Sequence, residues 1–297
     1  MQRLLIVGCG DVVRRILPDL TRRWRVYALV RQDDATLAAL GVTQIVGDLD
    51  RPSGLQRLAG LADVVLHSAP PPERGKHDPR TRRLVAVLRR GSLPRRLVYI
   101  STSGVYGNCD GERVAETRSL RPQTARAQRR VDAEGILRRF GRESNCRVSI
   151  LRAPGIYAAD RLPLDRLRKG LPVWRADEDS YTNHIHAEDL GRACIAALRR
   201  GRANRTYNVS DDSDLPMGEW FDKLADAFDL PRPPRVSREV SPRDTPSELP
   251  QTQLSFMNES RRLDNRRLKR ELGFRFRYPT VDAGIAAAKG PSCSGSG

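Results

Sequence analysis

Short apolar runs alternate with helix-period segments over the first half of this chain, and that alternation narrows its fold more than any other feature. Residues 3–7, Arg25–Val30, Thr43–Val46, Asp63–His67 and 96–101 are strand-length and apolar. Between them, 11–20, 34–40, 53–61 and 80–90 carry helical spacing, for example Val12, Val13, Ile16, Leu17 and Leu20. The connections are short. Strands that alternate with helices in this way build a parallel sheet covered on both faces. The predicted fold class is therefore α/β, a doubly wound parallel sheet.

After the fifth strand the spacing predicts a long helix over 124–141, with Ala133, Ile136, Leu137 and Phe140 as its apolar stripe and Gly141 as its stop. Val148–Leu151 reads as a sixth strand. From residue 152 the pattern loosens into helical segments at 163–170, 187–200 and 217–228, a strand at 206–209, and an irregular loop over 231–253 rich in proline, serine and charge. Asp264 is expected to cap a final helix that carries Leu268 and Leu272 and stops at Gly273. This division predicts a larger α/β domain at 1–158, to which strand 206–209 returns, a smaller α/β domain at 159–288, and a disordered tail at 289–297.

Composition excludes several classes. No stretch approaches the roughly 20 apolar residues of a membrane span, and the apolar run at 4–7 is too short for a signal peptide; a cytoplasmic protein is expected. Five scattered cysteines without a Cys-x-x-Cys predict isolated thiols and no metal site. The net charge of +17 comes from 48 arginines against five lysines. They are spread along the chain with only 5% aromatic residues, so solvated faces explain them better than a nucleic-acid surface.

Gly8-Cys9-Gly10-Asp11-Val12-Val13 opens the first helix, where a pyrophosphate would meet backbone N–H groups and the positive end of the helix dipole. Gly8 permits the turn and Gly10 lets a phosphate approach, while Val13 replaces the third glycine of the dinucleotide motif. Arg31 ends the second strand, where a carboxylate would take a ribose hydroxyl. An arginine suits a 2′-phosphate, so NADP is expected, with Asp33 and Asp34 keeping NAD open. Asp48, followed by Leu49, could accept from an adenine amino group or cap the next turn.

GCGDVV at 8–13, GDLD at 47–50, DVVLHSAPP at 63–71, STSGVYG at 101–107, LRAPGIYAADR at 151–161 and HIHAEDL at 184–190 stand in an order that resembles the extended short-chain dehydrogenase/reductases, the NAD-dependent epimerase/dehydratase group. The resemblance spans roughly residues 2–288. It implies a Rossmann domain, a ligand held against a smaller substrate domain, and a Ser/Thr–Tyr–Lys catalytic set. It implies cofactor contacts at Ser68, Ala69, Pro70, Ser101, Pro154, Gly155 and Ile156, and a homodimer through the helices at 80–90 and 124–141. Thr102 falls at the Ser/Thr place. Arg126 falls at the tyrosine and Arg130 at the lysine.

That replacement changes the chemistry, because arginine stays protonated in proteins and cannot act as the general base. Arg126 could hold an anionic substrate or stabilise developing negative charge, and Arg130 could bind the nicotinamide ribose. Tyr106 is the alternative acid/base. Arg152, Arg161 and Asn183 are candidate contacts to a small, polar, anionic or nucleotide-sugar substrate. The expected function is an NADP-dependent oxidoreductase or epimerase. A non-catalytic dinucleotide sensor is the alternative that the missing tyrosine raises.

Overall fold

In the computed structural model the described residues are 1–239 and 259–290. Seven parallel strands form the central sheet: β1 (Arg3–Val7), β2 (Arg25–Val30), β3 (Thr43–Val46), β4 (Val64–His67), β5 (Arg96–Thr102), β6 (Arg147–Ala153) and β7 (Arg205–Asn208). Their order is β7-β6-β5-β4-β1-β2-β3. The order reverses beside β1, so a crevice opens at the carboxyl ends of β1 and β4, where ligands bind in open α/β sheets.

Strand alternation sorts the core into two layers, because successive side chains point to opposite faces. Leu4 and Ile6 of β1 pack with α1 (Asp11–Thr21) and with α6 (Ala187–Arg200). Leu5 and Val7 pack with α3 (Pro79–Leu88) and α4 (Ala125–Ser144). The remaining α-helices among the described residues are α2 (Ala35–Ala39), α5 (Leu164–Arg168), α7 (Met217–Ala227), α8 (Arg266–Leu272) and α9 (Val281–Lys289). Tyr157, Leu167, Val173, Trp220, Phe221, Leu224, Val281 and Ile285 form a separate apolar cluster.

Several local expectations are corrected. Gly141 does not stop α4, which runs on to Ser144 and ends at Asn145 in the left-handed conformation. A Cβ at position 141 would lie 2.5 Å from Asn204 Oδ1 and 2.9 Å from Val148 Cγ2, so the glycine there serves close packing. Residues 53–61 form only one 3-10 turn, Leu55–Leu58, because Gly54 and Gly60 both take positive φ. Asn265, rather than Asp264, is the residue that precedes α8, and Asp264 accepts the Arg266 N–H. Helix α8 is not the last: Thr280 caps α9 by accepting from Ala283. Lys289 closes that helix, while the rest of the expected tail, residues 291–297, lies outside the described residues. Within the expected loop 231–253, Arg235–Val236 pairs with Val173–Trp174, and residues 240–253 also lie outside the described residues.

One polar assembly joins the sheet to α4. Glu134 of α4 is 1% exposed and Arg152 of β6 is 2% exposed at their side chains. Arg152 donates to both Glu134 oxygens, at 3.1 and 2.7 Å, and Ser101 Oγ donates to the same carboxylate at 2.7 Å. Arg152 also donates to the Tyr106 hydroxyl at 2.8 Å, and that hydroxyl donates to Asn208 Oδ1 of β7 at 2.7 Å. Two further donations, from Asn208 Nδ2 to the Val114 and Asp264 carbonyls, bring in the later chain. Removing one member of such a buried pair leaves the other charge without compensation. Glu134→Gln should therefore cost about 3 kcal/mol in urea unfolding; a loss well under half of that would show that Arg152 is satisfied without Glu134.

Asp211 follows β7 and is 3% exposed. One of its oxygens accepts the Ser213 N–H at 3.0 Å and the other has no partner. Burial, with the charges of Asp212 and Asp189, pushes this carboxyl up to about 8, against the Ser213 N–H, which acts to lower it. An unfolded aspartate titrates near 3.9. Between those values the folded chain holds a proton that the unfolded chain has released. Stability should therefore fall as pH rises through this window, by up to about 1.4 kcal/mol per pH unit, and level off above it. Unfolding measured at about pH 5 and about pH 8 should show this decline in the natural chain and lose it in Asp211→Asn; an identical pH dependence in both would refute it.

Candidate functional site

A cleft of about 1660 Å³ lies at the carboxyl edge of β1, β2, β3 and β4. Its floor is the turn after β1. Gly8 has φ +92°, and a Cβ there would sit 2.4 Å from the Ala69 backbone nitrogen. Only glycine fits this approach of the β1 turn to the segment after β4. Ser68 Oγ donates to the Gly8 carbonyl, and the Ala69 N–H to that of Val7 at 2.8 Å, holding the two segments together. A Cβ at Gly10, by contrast, would meet nothing within 4 Å, so open space lies over the start of α1. This cradle fits a dinucleotide pyrophosphate, which needs bare backbone N–H groups and room above them.

Arginines fasten the walls. Arg80 of α3 donates to the Asp50 carboxylate and to the Pro70 carbonyl, at 2.9 Å in each case. Arg83 donates to the Leu49 carbonyl at 2.7 Å. Arg14 of α1 pairs with Asp34 and donates to the Cys9 carbonyl. Asp34 also caps α2 by accepting from Thr36 and Leu37. Its oxygens are therefore engaged, while Asp33 lies exposed in the cleft beside Arg31. Arg31 is exposed too and forms no hydrogen bond among the described residues. Asp48 lines the wall with one oxygen accepting the Asp50 N–H at 2.9 Å, the turn-capping role. Cys9 is half-buried, and burial pushes its thiol up to about 11, so it carries no thiolate near neutral pH.

Helix α4 supplies the other end. Arg126, Arg129 and Arg130 all line the cleft, as expected for residues three and four apart on one helical face. Arg130 donates to the Tyr99 hydroxyl at 2.9 Å and to the Ile100 carbonyl at 2.7 Å. Arg129 donates to the Gly75 carbonyl at 2.7 Å, tying α4 to the loop after β4. Arg126 is exposed and has no hydrogen bond or ion pair among the described residues.

The structure thus gathers Gly8, Cys9, Gly10, Arg31, Asp48, Leu49, Ala69, Pro70, Arg126 and Arg130 around one cleft. It places other expected residues elsewhere. Val13 is in the core behind α1, and Val12 packs against that core. Asp11 pairs with Arg15 and Arg161, so Arg161, expected at the substrate, sits at the start of α1 instead. Ser101 is spent on Glu134. Gly155 and Ile156 belong to a short parallel ribbon with His184–His186, and Pro154 immediately precedes it; none of the three lines the cleft.

Thr102 is half-buried at the end of β5, its Oγ accepting the Gly104 N–H at 3.3 Å, and it is not a lining residue. Tyr106 is 1% exposed, and its hydroxyl is held between Arg152 and Asn208. Arg152 and Asn183, both expected at the substrate, belong to the framework. Arg152 is sealed against Glu134, and the Asn183 amide bridges the Arg261 carbonyl and the Leu263 N–H.

Sequence reasoning missed Arg14, Arg80 and Arg129 in the walls, and Glu73 and Arg74 in the loop after β4. Position 14, four residues past Gly10 on the same helix, carried a usable signal for the first of these. Among the cleft residues there is no tyrosine, histidine, serine or threonine.

Comparison with known proteins agrees with this architecture. No curated protein matches the chain. Among solved structures, a conserved protein of unknown function from Silicibacter pomeroyi DSS is 28% identical, with a TM-score of 0.79 over 97% of this chain and 98% of that one. The dTDP-glucose 4,6-dehydratase DesIV from Streptomyces venezuelae, solved with NAD, is 21% identical, with a TM-score of 0.76 over 97% and 95%. The UDP-N-acetylglucosamine 4-epimerase from Bacillus cereus is 15% identical, with a TM-score of 0.75 over 97% and 98%. These two show likeness of fold. The family model described as NAD dependent epimerase/dehydratase matches residues 12–210. With two-thirds of its length matched and the sheet, turn and cleft arranged as above, the chain belongs to the NAD dependent epimerase/dehydratase family.

Proposed function

We propose that this protein is an NADP-dependent oxidoreductase, or an epimerase/dehydratase-like enzyme, acting on a small polar substrate. The observation that carries the reading is the cleft itself: a glycine turn pressed onto Ala69, open space over Gly10, and an unbonded Arg31 at the end of β2. Family membership supports it. A bound nicotinamide dinucleotide would supply the carbon that gives or takes hydride. The chain's own residues would hold its phosphates at Gly8–Gly10, its adenosine end between Arg31 and Asp48, and its nicotinamide ribose near Arg130. Of the two acids that follow β2, Asp34 is spent on Arg14 and on capping α2, which leaves Asp33 for a ribose hydroxyl and Arg31 for a 2′-phosphate.

Fluorescence titration should therefore show tighter binding of NADPH than of NADH. Arg31→Ala should weaken NADPH at least tenfold, the scale of one lost charge-assisted contact, and leave NADH within about threefold. Equal losses for both dinucleotides would refute the assignment of Arg31 to the phosphate.

Proton transfer needs a group other than the family tyrosine. Tyr106 is sealed from the cleft, and burial, partly offset by Arg152, pushes its hydroxyl up to about 12. We assign it to the framework. Tyr106→Phe should lower stability by about 1 kcal/mol and leave turnover unchanged on any sugar, nucleotide sugar or carbonyl compound that the protein reduces or oxidises. Lost turnover at unchanged stability would return Tyr106 to the reaction.

A second reading has its own observation. With no tyrosine, histidine or hydroxyl side chain lining the cleft, the chain is also suited to bind a dinucleotide without turning over, as a sensor. Binding without absorbance change across the same substrate panel would select it.

A further inference from the structure

The arginine face of α4 asks for a ligand that a nicotinamide dinucleotide alone does not explain. Arg129 and Arg130 are 7% and 9% exposed, and both line the cleft. Each spends one terminal nitrogen on protein oxygens, Arg129 on Gly75 and Arg130 on Tyr99 and Ile100, yet the Nε of each is buried with no partner among the described residues. A buried donor left unmade is costly, more so on a charged group. Arg126 stands one turn earlier on the same face, and no acid approaches it within ion-pairing distance among the described residues. Crowding by protein atoms, together with repulsion from Arg130 and Arg129, acts to lower the pKa of Arg126. Two other cleft arginines are answered by acids, Arg14 by Asp34 and Arg80 by Asp50. The three neighbouring guanidinium groups at this end have no such acid among the described residues.

We propose that Arg126, Arg129 and Arg130 form an anion site that takes a carboxylate or phosphoryl group of the substrate while a dinucleotide occupies the rest of the cleft. The proposal rests on the oxidoreductase reading above and names the substrate class: a small molecule with an oxyanion close to its reacting carbon. The position supports this. A Cβ at Gly104 would stand 3.9 Å from the Ala127 Cβ, so the first turn of α4 packs on the loop that follows β5. Planar guanidinium groups suit the bidentate oxygens of either anion. Arg126 would position the substrate and balance negative charge in place of exchanging a proton.

The test is calorimetric titration of the NADPH-loaded protein with inorganic phosphate and with malonate. At least one should bind, and Arg126→Gln should weaken it tenfold or more while leaving NADPH affinity within about threefold. Arg126 has no hydrogen-bond or ion-pair partner to lose among the described residues, so the variant should keep its melting temperature, and Arg22→Gln, exposed and outside the cleft, serves as the control that leaves anion affinity unchanged. Preference for malonate assigns a carboxylate, and preference for phosphate a phosphoryl group. Binding of neither anion, equal affinity in Arg126→Gln, or displacement of NADPH by the anion overturns the proposal. Failure of NADPH itself to bind is a separate result that refutes the oxidoreductase reading. The same titration on the free protein then decides whether the anion site exists: loss in Arg126→Gln retains it, and no binding refutes it.

Discussion

The buried pair of Glu134 and Arg152 sets the geometry on which the cleft depends. Its two charges lie in the interior with Ser101, Tyr106 and Asn208 as hydrogen-bonding neighbours. Such a pair contributes little net stability against an apolar packing of equal volume. It is directional, however, and apolar packing is not. It fastens α4 to the carboxyl ends of β5 and β6 at one rotation of the helix. Arg126 precedes Glu134 by eight residues, about 12 Å along the axis, so rotation at the pair is carried to the arginine face in the cleft.

The same assembly explains why a hydroxyl-rich loop after β5 is not, by itself, a catalytic loop. Ser101 and Tyr106 face the ion pair, and Thr102 turns its oxygen to the Gly104 N–H. The polar groups left to the cleft are backbone, carboxylates and guanidinium groups, with the Gln32 amide and the Cys9 thiol. A site of this composition binds and orients anions well, and has few groups that titrate near neutrality. Arg126, expected from the sequence at the place of the family tyrosine, lines this cleft with Arg129 and Arg130.

Much of the scaffold was legible from residue order. Strand and helix alternation placed six of the seven sheet strands over residues 3–153, because period 2 and period 3.6 are properties of the chain itself. Strand 206–209 was anticipated as a return to the sheet and pairs with β6. The errors lie where tertiary contact overrides local preference. Gly141 reads as a helix stop but is a packing residue under Asn204, and Asp264 reads as a cap one residue too early.

Sequence alone determined the sheet and the glycine turn, since each is written in the identity or spacing of residues near in the chain. Only the tertiary structure decided which arginines matter. With 48 of them, composition could not separate Arg152, sealed against a carboxylate, from Arg126, open to the cleft. Both are the same residue type beside ordinary neighbours. What distinguishes them is the partner that folding brings from 18 residues away in one case and does not bring in the other, and a charge takes its role from that partner.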